Sequence, residues 1–122
     1  MAANVDVLII EDEPLLAVLL VKMLKRMGFT AEFVLCGADG LIALSRLGAG
    51  LKLVILDYGL PDFSCSDLVP QCRSLAPNAR LVITSGLPQT LLEGITPEDM
   101  DGFLSKPFNF EKVKKTIEDV LR

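Results

Sequence analysis

Four short stretches of this chain carry residues able to do chemistry together. They are Glu11-Asp12-Glu13, Asp57, Thr84-Ser85 and Lys106-Pro107. Each directly follows, or closes, an apolar run that reads as a strand: Val5 to Ile10, Leu51 to Leu56, Arg80 to Thr84 and Gly102 to Ser105. Parallel strands would bring all four ends to one edge of a sheet. There three carboxylates, a hydroxyl and an ammonium converge. Converging carboxylates repel one another unless a cation sits between them. Oxygen donors without histidine or thiolate suit a hard ion such as Mg²⁺. An ion and a lysine are also what a transferring phosphoryl group needs, because its equatorial oxygens carry the charge. A central carboxylate can then act as nucleophile and become an aspartyl phosphate.

The elements that must position these residues alternate along the chain. Leu15, Leu16, Leu19, Leu20, Met23, Leu24 and Met27 recur at helical spacing, with Pro14 at the start and Gly28 at the stop. Phe29 to Leu35 reads as a second strand, and Ala38 to Leu47 as a second helix ended by Gly48-Ala49-Gly50. Ser66 to Leu75 reads as a third helix, broken by Pro77-Asn78. Gly86, Pro88, Gly94 and Pro97 leave room only for a short or irregular fourth helix. Asn109 is placed to cap a fifth, running to Leu121. Five strand–helix alternations predict an α/β fold, a doubly wound parallel sheet covered on both faces. Ligands of such sheets bind beyond the carboxyl ends of the strands, where the four stretches lie.

Composition narrows the function further. The 122 residues make one domain, 1–122, and 51% are hydrophobic, which suits a sheet buried on both faces. A net charge of -4 argues against direct contact with nucleic acid. No apolar run is long enough to cross a bilayer, and Met1 to Asp6 lacks the basic start of a signal peptide. Three cysteines at positions 36, 65 and 72 form no metal spacing, and their odd number fits a reducing, cytoplasmic setting. With no histidine, the chain supports neither histidine catalysis nor a phosphohistidine of its own.

Four motifs carry a family resemblance: Leu8-Ile9-Ile10-Glu11-Asp12-Glu13-Pro14, Val54-Ile55-Leu56-Asp57 followed by Pro61, Val82-Ile83-Thr84-Ser85-Gly86, and Phe103-Leu104-Ser105-Lys106-Pro107-Phe108. In order and spacing, over essentially the whole chain, they resemble the receiver domains of two-component response regulators. The resemblance implies a flavodoxin-like sheet of strand order 2-1-3-4-5 with five helices. It implies that Asp57 is the phosphoacceptor. Glu11, Asp12, Asp57 and the backbone carbonyl of Gly59 would hold Mg²⁺ (or Mn²⁺). Lys106 would bind the phosphoryl group, Thr84 would be the switch hydroxyl and Phe103 the aromatic switch. The implied donor is a sensor histidine kinase or a histidine phosphotransfer protein. The implied output is an effector bound at the face of the fourth helix, fifth strand and fifth helix, with slow autophosphatase loss of the phosphoryl group. The chain would serve as a stand-alone regulator or as the receiver of a hybrid histidine kinase. The alternative is a degenerate receiver that binds partners without phosphorylation.

Two other classes fit less well. An aspartate-nucleophile hydrolase of the haloacid dehalogenase type wants a second aspartate where this chain has Gly59. A flavin- or nucleotide-binding module wants a phosphate loop where this chain has Glu11-Asp12-Glu13-Pro14.

Overall fold

The apolar runs at the strand positions become the centre of a parallel sheet. The computed structural model describes residues 4–122. Met1-Ala2-Ala3, part of the stretch expected to carry no signal peptide, lies outside the described residues. In chain order the elements are β1 (Val7–Ile10), α1 (Pro14–Arg26), β2 (Ala31–Val34), α2 (Gly37–Leu47), β3 (Leu53–Asp57), α3 (Cys65–Leu75), β4 (Arg80–Ser85), β5 (Gly102–Ser105) and α4 (Phe110–Leu121). The strand order is β2-β1-β3-β4-β5, all parallel, as the family resemblance implies. Every residue of β1 and β3 is buried, which is why their sequences are apolar without alternation up to Asp57.

Side-chain alternation divides the core into two layers. Leu8, Ile10, Val54, Leu56, Leu81 and Ile83 pack under α2 and α3. Val7, Ile9, Leu53, Ile55, Val82 and Leu104 pack under α1 and α4. Helix α1 buries Ala17, Leu20, Met23 and Leu24, the spacing of one helical face. Each fully buried leucine contributes roughly 2 kcal/mol of burial. Pro14 occupies the first turn of α1, and Gly28 follows its end at φ +90°, a conformation that suits glycine. Ser64 and Asn109 cap α3 and α4 through their side-chain oxygens, and the Cys36 sulfur accepts from Asp39 N–H at the start of α2. Pro70 lies inside α3, which continues through it.

The expectation of five helices is corrected to four. Between β4 and β5 no α-helix forms. Two single turns of 3₁₀ helix, Gln89–Leu91 and Pro97–Asp99, stand there instead. Pro88 and Pro97 each begin a turn but cannot continue a helix from before it, and Gly94 at φ +75° reverses the chain between them. The segment is nevertheless anchored, because Leu92, Ile95 and Met100 are buried in the α2–α3 layer. No helix among the described residues is long and apolar enough to cross a membrane.

Candidate phosphoacceptor site

The sheet register sets the site. Ile10 lies beside Leu56, so the chain leaving β1 delivers Glu11 beside Asp57. Asp57 in turn lies beside Thr84, and Ser85 beside Ser105, which places Lys106 one residue beyond β5. Backbone bonds fix these exits: Glu11 N–H donates to Val34 C=O at 3.1 Å, Tyr58 N–H to Thr84 C=O at 2.9 Å, and Lys106 N–H to Ser85 C=O at 2.8 Å. Thus Glu11, Asp12, Asp57, Thr84 and Lys106, taken from four separate stretches of sequence, meet at one edge. Asp12, Asp57, Gly59 and Lys106 line an open crevice of about 460 Å³ there.

Burial and charge define its electrostatics. Asp57 is 3% exposed and Glu11 is 2% exposed, whereas Asp12 faces solvent. The Lys106 ammonium lies 3.1 Å from Asp57 Oδ1 and 2.9 Å from Glu11 Oε1. The first contact is a hydrogen bond. The second is close but off the hydrogen-bond direction, so Glu11 Oε1 is buried with no directed donor among the described residues. Glu11 Oε2 accepts from Glu13 N–H at 3.1 Å, and Asp57 Oδ1 also accepts from Gly59 N–H at 3.2 Å.

Burial pushes the Glu11 carboxyl up from 4.5 to about 7, against the pull of Lys106. Burial likewise raises Asp57, with Lys106 and the Gly59 N–H opposing it. Desolvation works against the Lys106 ammonium, but its Glu11 and Asp57 partners outweigh this and raise its pKa.

Three carboxylates against one ammonium leave the crevice short of positive charge. Ligand oxygens of Glu11, Asp12 and Asp57 lie within 4.8 Å of one another. An oxygen-only set with a buried oxygen lacking a directed donor fits a hard divalent cation. Gly59 presents no side chain to the crevice: a Cβ there would stand 4.0 Å from Asp57 Oδ1. Thr84 is buried at the end of β4. Phe103 is half-buried and packs with the α2–α3 layer.

Two residues that sequence reasoning did not single out tie the loops around the crevice. Asp62 accepts from the N–H groups of Gly37 and Ala38 at 2.8 and 2.9 Å, so it fastens the β3–α3 loop to the start of α2. A Cβ on Gly37 would come within 2.6 Å of the Phe63 ring, so glycine permits this approach. Tyr58 bonds through its hydroxyl to Glu93. Nothing in the local sequence signals either bond.

Comparison with known proteins finds the same fold and family. Sensor kinase CckA of Brucella abortus is 25% identical over 99% of this chain, which spans 13% of that kinase. The solved receiver domain (CheY-like) from Methylobacillus flagellatus is 30% identical, with a TM-score of 0.83 over 97% of this chain and 99% of that one. Response regulator TrrA from Thermotoga maritima, solved in complex with Mg(2+)-BeF, shares the fold at 22% identity and a TM-score of 0.81, over 96% of this chain and 99% of that one. The family model for the response regulator receiver domain matches residues 7–118, and with nearly the whole chain inside that match the protein belongs to this family of two-component signalling domains.

Proposed function

We propose that this receiver, one domain over residues 1–122, accepts a phosphoryl group onto Asp57 from a sensor histidine kinase or a histidine phosphotransfer protein in the cytoplasm. The observation that carries the reading is the buried Asp57 carboxylate, 3.1 Å from the Lys106 ammonium and grouped with Glu11 and Asp12. A carboxylate oxygen of Asp57 attacks phosphorus in line. The P–N bond of the donor breaks, and its electron pair returns to the imidazole. Lys106 holds phosphoryl oxygens as charge moves onto them. Glu11, Asp12, Asp57 and the Gly59 carbonyl would hold Mg²⁺ (or Mn²⁺), which when bound neutralises that charge. The Thr84 hydroxyl turns toward the phosphoryl group and the Phe103 ring follows. The surface of residues 87–100, β5 and α4 then presents the output to an effector, the irregular segment replacing the helix usual for the family. Water later attacks the acyl phosphate, which gives a weak autophosphatase. Likeness to a sensor kinase supports a place in a hybrid kinase beside the stand-alone reading.

The test is incubation with acetyl phosphate, with and without Mg²⁺, read by intact mass. The expected result is one phosphoryl adduct that requires Mg²⁺ and is absent in Asp57→Ala. No adduct, together with no response to beryllofluoride, would overturn the reading in favour of a partner-binding module.

A further inference from the structure

Tyr58 follows the phosphoacceptor directly and reaches a residue 35 positions further along the chain. Its hydroxyl donates to the Glu93 carbonyl at 2.9 Å and accepts from the Glu93 N–H at 2.8 Å. Its own N–H donates to Thr84 C=O. One residue therefore links the β3 end, the β4 end and the middle of the irregular segment. Glu93 sits between buried Leu92 and the turn at Gly94, where an added Cβ would stand 3.2 Å from the Ser66 Cβ at the start of α3. Among the described residues, Tyr58 is the member of the 57–59 turn whose side chain hydrogen-bonds to residues 87–100.

We propose that Tyr58 is a positioning residue that couples the state of Asp57 to the segment 87–100: its phenol holds Glu93 while Asp57 is a free carboxylate and releases it when Asp57 is phosphorylated. This rests on the reading of Asp57 as phosphoacceptor. The turn around Tyr58 is closed by the Gly59 N–H bond to Asp57 Oδ1. Acyl phosphate formation removes the carboxylate charge that strengthens this bond, and offers phosphoryl oxygens as better acceptors nearby. The 57–59 backbone re-forms, and the phenol moves with it. Glu93 is exposed, so its freed N–H and C=O pair with water at small cost. The segment is thus a two-state element, biased by a modification beside it.

The experiment is hydrogen exchange of wild type and Tyr58→Phe, each with and without Mg²⁺ and beryllofluoride, alongside acetyl phosphate labelling read by mass. In wild type, exchange at Glu93 rises about tenfold with beryllofluoride. In Tyr58→Phe, exchange is already fast, beryllofluoride adds nothing, and the Asp57 adduct still forms. If the phenol only stabilises the segment, its loss in Tyr58→Phe would raise exchange equally with and without beryllofluoride and preserve their difference, which would overturn the coupling. Wild type that forms the adduct while Glu93 exchange stays unchanged would overturn it too. Absence of the adduct in wild type would instead remove the phosphoacceptor reading, and the coupling with it.

Discussion

The crevice and the segment 87–100 are neighbours that the chain holds in opposite ways. The crevice hangs from the ends of paired strands, β1 and β3 of them fully buried, whose register fixes where its residues leave the sheet. The segment hangs from three buried apolar side chains, two short turns, the Tyr58 hydroxyl, the Arg73 guanidinium on the Asp99 carbonyl and the Leu87 N–H on Ser85 Oγ. One region holds the groups of the proposed phosphoacceptor site in place, as preorganised chemistry requires. The other has fewer anchors, as the proposed switching of this segment requires. The difference teaches that rigidity and responsiveness are allotted here by element, within one layer of core.

The largest expected effect contrasts the two anchors directly. Leu56→Ala, in β3, should cost about 4 kcal/mol, and Leu92→Ala, in the segment, about 2 kcal/mol, because the segment can collapse onto the space left. Urea unfolding measures both, and equal costs would break the contrast.

Next is the acidity of the crevice. Glu11 titrates near 7 when folded and near 4.5 in its ordinary state. Between those values the folded chain keeps a proton that the unfolded chain has released. Stability without metal should therefore fall as pH rises through that window, by on the order of 3 kcal/mol. Unfolding at pH 5 and pH 8 checks this, and Glu11→Gln should remove most of the difference. A flat profile in wild type would show that burial at Glu11 is compensated.

Lys106→Ala comes third: phosphoryl uptake from acetyl phosphate should slow about a hundredfold, since one charged donor to the transferred group is lost. An unchanged rate would separate the ammonium from the chemistry. Smallest is Gly94→Ala, which places a Cβ 3.2 Å from the Ser66 Cβ at a φ of +75°. It should cost about 1 kcal/mol and raise hydrogen exchange across 87–100 while leaving β3 unchanged. Faster exchange in β3 as well would join the two regions into one unit.

These regions also differ in what the sequence discloses. The strands were legible because buried parallel strands need unbroken apolar runs, and their polar end residues stand out against them. Once Glu11, Asp57, Thr84 and Lys106 were assigned to strand ends, topology alone predicted that they meet. The breaks at Pro88, Gly94 and Pro97 announced irregularity, yet the absence of any α-helix there was not readable, since a short helix fits the same spacing. The bonds from Tyr58 to Glu93 and from Asp62 to α2 join residues with no shared periodicity. Such contacts depend on where loops come to rest, and no local pattern encodes that.

The cysteine that begins α2 has a practical consequence. Cys65 and Cys72 are buried, and burial pushes both thiols up to about 12, so they resist alkylation. Cys36 is only half-buried and surrenders one weak 3.4 Å contact to Asp39 if derivatised. Its neighbour Gly37 is bonded to Asp62, in the loop that leaves Asp57, the proposed phosphoacceptor. The native chain thus offers a single attachment point for a fluorescent reporter, one loop away from the event to be observed.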